Sequence, residues 1–194
     1  MEIIGHRLNS LEQLREARKA DLDRLEFDVR VTVDGLPVLR HDPLTGNEKG
    51  LAKLEDALKE FGDFPLYIEV KPGTSIEPVS EIIKIFIKNG SGQKDIWLAS
   101  FSQRTLLDLQ LLLPDIPKVV IEKWSGVRAR RRAKQLGTKL ICMNQRWLWS
   151  GFIKAMSHAG YQLYAYPLND KRKARRWAGF GLAGVVTDDP DLLG

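Results

Sequence analysis

Apolar positions follow two different rhythms along the chain. Short, near-continuous apolar runs predict strands at Glu2–Gly5, Arg24–Thr32, Pro37–His41, Leu66–Val70, Ile96–Ser100, Lys118–Ile121, Leu140–Met143, Gln162–Tyr166 and Gly184–Thr187. Such runs suit strands covered on both faces. Between them, apolar residues recur at i, i+3 and i+4, which predicts helices over Leu11–Ala20, Leu54–Phe61, Ile76–Lys88, Gln103–Leu113, Val127–Leu136, Leu148–Ala159 and Lys171–Phe180. Glycines at 62, 90, 137, 160 and 181 fall just past these helices, where a left-handed cap favours them.

About eight strands, most followed by a helix, predict a closed (β/α)8 TIM barrel rather than an open doubly wound sheet. That fold typically takes roughly 250 residues, so 194 residues make a near-minimal barrel. No repeat, low-complexity tract or linker divides the chain, and a single domain over residues 1–194 is expected. One cysteine, Cys142, excludes a disulfide framework and any multi-cysteine metal site. No run approaches the roughly 20 apolar residues of a membrane span. The N-terminal Met1-Glu2-Ile3-Ile4-Gly5-His6 lacks the basic and apolar regions of a signal peptide, so a cytoplasmic location is expected. The net charge of +5 conceals a split. Residues 1–100 carry 14 Lys and Arg against 18 Asp and Glu, and residues 101–194 carry 16 against 7, or −4 and +9.

In such a barrel the chemistry sits at the C-terminal ends of the strands. Collecting the polar residues there gives His6 and Arg7, Glu26 and Asp28, His41, Glu69 and Lys71, Ser100, Glu122 and Lys123, Asn144, Asn169 and Asp188. Glu26 and Asp28 share one side of a strand, as do Glu69 and Lys71. Three carboxylates are hard ligands suited to Mg²⁺ or Ca²⁺, and too poor in nitrogen and sulfur for structural zinc. Arg7 and Lys71 are cations suited to a phosphate. His6 and His41 titrate near neutrality and can serve as base and acid. Together these residue types fit metal-assisted cleavage of a phosphodiester. Without a Gly-x-Ser-x-Gly elbow or a partner for Cys142, they do not fit a serine or cysteine hydrolase.

At these residues the sequence resembles the glycerophosphodiester phosphodiesterase family. His6-Arg7-Leu8 is similar to the family's opening His-Arg-Gly. Glu26-Phe27-Asp28-Val29, Thr32-Val33-Asp34-Gly35-Leu36-Pro37-Val38 and His41-Asp42 match its most specific block. Glu69-Val70-Lys71, Ser100-Phe101, Tyr166-Pro167-Leu168-Asn169 and Thr187-Asp188-Asp189-Pro190 follow in family order. The resemblance implies a metal held by Glu26, Asp28 and Glu69 (Mg²⁺ or Ca²⁺, with Mn²⁺ a further choice). It also implies acid/base work by His6 and His41, and phosphate contacts from Arg7 and Lys71. The reaction it implies cleaves a small glycerophosphodiester to glycerol 3-phosphate and an alcohol. A lyase releasing a cyclic phosphate is the alternative from the same site. Ser100, Glu122, Asn144, Trp147, Tyr166 and Asn169 complete the expected pocket. The sequence departs from the family at Leu8, in the shortened segment Asn9-Ser10-Leu11, and in having only 26 residues between Asp42 and Glu69, where a larger insertion is usual.

Each expectation has a plainer competitor. His6 alone could be a satisfied strand-end histidine, and Glu69 with Lys71 a simple ion pair. Trp147 and Trp149 suit the pocket mouth or the barrel shell, and His158 suits a helix end. The basic runs 128–134 and 171–176 lie on outer helices and read first as solvated faces. Contact with an anionic lipid surface or nucleic acid is the alternative of another class, and no reading helix or stacking motif supports the nucleic acid.

Overall fold

The computed structural model describes residues 1–46, 49–90 and 96–192. Among them, eight parallel strands close into a barrel: β1 (Glu2–Gly5), β2 (Arg24–Val31), β4 (Leu66–Val70), β5 (Ile96–Ser100), β6 (Lys118–Glu122), β7 (Leu140–Asn144), β8 (Gln162–Tyr166) and β9 (Gly184–Thr187). The outer layer holds α1 (Leu11–Ala17), α2 (Leu54–Phe61), α3 (Ile76–Lys88), α4 (Gln103–Leu112), α5 (Gly126–Leu136), α6 (Ser150–His158) and α7 (Lys171–Ala178). β1 closes the ring by pairing β9 on one side and β2 on the other. The fold is the (β/α)8 barrel that the alternating pattern predicts.

Strand alternation divides the core in two. Residues such as Leu25, Phe27, Leu98, Val120 and Ile141 face outward and pack against the helices. Ile4, Tyr67, Trp97, Val119, Cys142, Tyr164 and Val186 face inward and fill the barrel floor. Trp97 meets the Tyr164 ring edge-on at 5.4 Å, and the Arg24 guanidinium lies 3.7 Å from the Trp97 ring centre. These bulky groups, with Arg24 and Glu2 beneath them, close the barrel below and leave its upper end open.

The ninth strand, β3 (Pro37–Leu39), runs antiparallel to β2 through a tight hairpin. Thr32 and Gly35 close that turn: the Gly35 amide donates to the Thr32 carbonyl at 3.0 Å, and Gly35 takes a φ of 84° that only glycine adopts freely. The hairpin returns the chain beside β2, where the Arg40 amide donates to the Asp28 carbonyl at 2.9 Å. His41 thereby arrives at the mouth.

Some boundaries differ from the pattern. The first helix ends at Ala17, because residues 18–20 tighten into i→i−3 bonds such as Ala20 N–H to Ala17 C=O. The helix expected from Leu148 begins at Ser150: a 3₁₀ turn over Gln145–Trp147 precedes it, with Leu148 and Trp149 extended between the two. Gly62 is not a left-handed cap: its φ is −71°. A Cβ there would run into the Phe86 ring, so close packing of α2 on α3 accounts for this glycine. No helix is long and apolar enough to cross a membrane among the described residues.

Candidate active site

Strand register assembles the upper layer of the barrel. Asp28 and Glu69 are direct partners across β2 and β4. His6 and Asp188 follow directly on the β1–β9 pair Gly5 and Thr187. The inward residues at the strand ends enclose a cavity of about 410 Å³, lined by His6, Arg7, Glu26, His41, Glu69 and Lys71 on one side. Phe101, Lys123, Asn144 and Tyr166 line the other.

Each group in this layer is held by a named partner. Arg7 has a φ of 56°, the one positive φ outside glycine among the described residues. That conformation costs about 1–2 kcal/mol, offset because it aims the Arg7 amide at Glu26 Oε2, 2.6 Å away. The Leu8 amide then donates to the Glu26 carbonyl at 2.9 Å. Since the left-handed residue is Arg7, position 8 tolerates a side chain, and Leu8 packs on the core. Asn9 clasps Asp28 twice: its Nδ2 donates to Oδ2 and its Oδ1 accepts from the Asp28 amide, each at 2.8 Å. Lys71 Nζ lies 2.5 Å from Asp28 Oδ1 and 2.6 Å from Glu69 Oε1.

Glu26, Asp28 and Glu69 are buried, and each brings an oxygen to within 4.8 Å of the others. Burial raises the Glu26 carboxyl well above its ordinary range, and the charges of Asp28 and Glu69 push it further. Burial raises Glu69 too, against the pull of Lys71. Mutual repulsion and burial are what raise these carboxyls, and a cation among them would relieve both, so this compact cluster of hard oxygens fits a divalent cation.

Both imidazoles are oriented by carboxylates. His6 Nδ1 bonds Asp188 Oδ1 at 2.7 Å, and His41 Nδ1 bonds Asp42 Oδ1 at 2.8 Å. Asp188 is itself fixed by Asn169, whose Nδ2 donates to its Oδ2 at 2.9 Å and whose Oδ1 accepts from its amide at 3.0 Å. Arg30 anchors the second histidine by donating to the His41 carbonyl from Nε and Nη2 at 3.1 and 3.0 Å. Burial lowers the His6 pKa below 6.5, although Asp188 pulls it upward. At neutral pH His6 is therefore a neutral ring with a carboxylate on Nδ1, which leaves Nε2 as a proton acceptor.

A sequence-family model described as the glycerophosphoryl diester phosphodiesterase family matches residues 5–67 and 45–192. The chain belongs to this family. The two matched stretches overlap between Asp42 and Glu69, the segment that is short here. Among glycerophosphodiester phosphodiesterases, that of Caldanaerobacter subterraneus subsp. tengcongensis is 22% identical over 218 residues, covering 95% of this chain and 90% of that protein. A phosphodiesterase of Oleispira antarctica, solved with its product sn-glycerol-3-phosphate, shares the fold with a TM-score of 0.84. It is 20% identical, with 98% of this chain and 94% of that one covered. A glycerophosphodiester phosphodiesterase of Agrobacterium tumefaciens gives a TM-score of 0.77 at 20% identity, covering 99% and 98%.

The structure brings His6, Arg7, Glu26, Asp28, His41, Glu69 and Lys71 together, with Asn144 and Tyr166 on the facing wall. Four other expected pocket residues stand outside the lining. Ser100 is buried behind the strand, its Oγ donating to the Val70 carbonyl at 2.7 Å. Glu122 lies beneath α5, accepting from the Lys123 and Trp124 amides at 2.9 Å and pairing with Arg128. Asn169 acts through Asp188. Trp147 is on the outer rim, edge-on to Trp124 at 5.8 Å. Conversely, Phe101 and Lys123 face the cavity, and Asp42, Asp188 and Asn9 orient its catalytic candidates. Parity was the signal that separates these groups. In β5, Trp97 and Ala99 point inward, so Phe101 does and Ser100 does not; in β6, Val119 and Ile121 make Lys123 inward and Glu122 outward.

Proposed function

We propose that this family member hydrolyses glycerophosphodiesters to glycerol 3-phosphate and an alcohol in a reaction that requires a divalent cation. The observation that supports this reading most directly is the meeting, at one mouth, of a buried carboxylate trio and two imidazoles, each with its own carboxylate. The Oleispira antarctica structure holds sn-glycerol-3-phosphate, which agrees with the product proposed.

Glu26, Asp28 and Glu69 hold the cation, either Mg²⁺ or Ca²⁺ (or Mn²⁺), which when bound stabilises negative charge developing on the phosphoryl oxygens. Arg7 and Lys71 face the same cavity and bind the phosphate, the first as a planar fork and the second as a point charge. His6 Nε2 accepts the proton of the attacking hydroxyl, while Asp188 on Nδ1 stabilises the resulting imidazolium. His41, held by Asp42 and Arg30, donates a proton to the departing alcohol oxygen. When the attacking group is the adjacent glycerol hydroxyl, the first product is a five-membered cyclic phosphate. The exchanged proton roles then allow water to open it.

The test is turnover of a panel of glycerophosphodiesters after EDTA treatment, with Mg²⁺, Ca²⁺ or Mn²⁺ restored. Activity is expected to vanish with the metal and return with at least one ion. Undiminished activity in the metal-free enzyme would sink the cation assignment. Glu26→Ala, Glu69→Ala and His41→Ala are each expected to lose nearly all turnover. Phosphorus NMR of the products identifies the reaction, because a stable cyclic phosphate as end product would replace hydrolase with lyase.

A further inference from the structure

The positive charge of the second half is concentrated in one arc of the barrel. Residues 123–180, spanning α5, α6 and α7, contain 14 Lys and Arg and a single acid, Asp170. Of these cations only Arg132 is buried, and it donates to the Ile121 carbonyl at 2.9 Å. In the closed ring β7 stands opposite β2, so this arc lies across the molecule from the acidic first half. Nothing in the proposed reaction uses it.

The same arc carries an apolar edge. Two of the five tryptophans, Trp97 and Trp177, are buried. The other three, Trp124, Trp147 and Trp149, are 55%, 46% and 62% exposed, and all sit in the two adjacent loops leading from β6 to α5 and from β7 to α6. Val127, 82% exposed in the first turn of α5, extends the edge. These loops lie at the C-terminal ends of their strands, on the rim of the cavity mouth. Lys123 joins the two features: it lines the cavity, and its ammonium lies 4.8 Å from the Trp124 ring centre. Aromatic rings above a field of cations suit the headgroup region of an anionic bilayer, where tryptophan is apolar on its body and polar at its N–H.

We infer that this rim docks on an anionic phospholipid bilayer, with the cavity mouth turned toward the membrane. The arrangement favours lipid over nucleic acid. Trp124 and Trp147 pack edge to face, and Trp149 leans on Phe152 at 5.2 Å, so the rings are engaged in pairs rather than standing free as stacking platforms. The inference goes beyond the hydrolase reading, and its readout is binding, so it stands or fails independently of turnover.

The test is flotation of the intact protein with phosphatidylcholine vesicles containing or lacking about one third phosphatidylglycerol, together with tryptophan emission. Binding is expected only with the anionic lipid, with a blue shift in emission and loss at high salt. Arg146→Glu with Arg172→Glu is expected to weaken binding about 25-fold or more, at roughly fivefold per cation lost near the surface. Trp124→Ala with Trp149→Ala is expected to weaken it about tenfold and remove most of the blue shift. Both pairs are exposed, and circular dichroism checks that they fold. Equal binding to neutral vesicles, no binding at all, or binding unchanged in the tryptophan variant overturns the inference. So does tighter binding to single-stranded RNA that ignores the tryptophans, which would reassign the arc to nucleic acid.

Discussion

His6 illustrates how much a single position depends on its partners. Burial lowers its pKa, and the Asp188 carboxylate opposes that shift. Replacing Asp188 with Asn removes the main group that opposes burial, leaving only the lesser pull of Asp28. The ascending limb of kcat/KM against pH is then expected to move to lower pH, because His6 loses its proton earlier. The plateau is expected to fall by about 10²- to 10⁴-fold, since the ring loses its orienting acceptor. An unchanged profile would remove Asp188 from the acid/base assembly. Residue types at strand ends are legible in the sequence, and their facing follows from alternation along each strand. Glu26 with Asp28 and Glu69 with Lys71 are same-face pairs, and all four meet at the mouth. Ser100 and Glu122 also end strands, but alternation turns them behind the wall. Asn9 carried no local signal, because its role exists only through contact with Asp28, 19 residues away.

Among the elements, the junction of β6 with α5 is the clearest case of a strand-end carboxylate with a structural task. Burial alone would raise Glu122, but the Arg128 guanidinium and the Trp124 and Ser125 amides outweigh it and bring the carboxyl down to about 2. A carboxyl depressed on folding adds stability above its ordinary value of 4.5 and loses it as pH falls from there through about 2. Urea melts across that window are expected to show this loss in the wild type and to show it much reduced in Glu122→Gln. At neutral pH the substitution is expected to cost about 1–2 kcal/mol, because Arg128 is half exposed and only the Glu122 end of the pair is buried. Gly62→Ala offers a second measurement. A Cβ there meets the Phe86 ring and also, at 2.5 Å, the Leu58 carbonyl, so a loss of about 1–3 kcal/mol is expected. Combining it with Phe86→Leu is expected to recover part of that loss in a double-mutant cycle. Strands and helices were legible because apolar periodicity follows burial. Gly62 resembles a helix cap in sequence because a close approach between two helices leaves no mark in the local pattern.

At the scale of the molecule, the barrel joins an acidic arc that supplies the carboxylate trio to a basic arc that supplies none of it. A cation that binds only the folded trio stabilises the whole domain, by about 2.7 kcal/mol at a hundred times its Kd. The thermal midpoint is therefore expected to rise on adding Ca²⁺ or Mg²⁺, and Asp28→Asn is expected to abolish the rise. Fold class and enzyme family were readable from motif order, because the motifs fall at strand ends or on the β2–β3 hairpin and the strands follow one another around the ring. The location of the charge split was not readable, since a linear count cannot place β7 opposite β2. The bond between His6 and Asp188, 182 residues apart, has a kinetic consequence. The carboxylate trio is encoded within residues 26–69, whereas His6 acquires its partner only when β1 zips to β9. Contacts of such separation form slowly. During refolding, cation affinity should therefore return ahead of turnover, and the interval between the two would clock the closing of the ring.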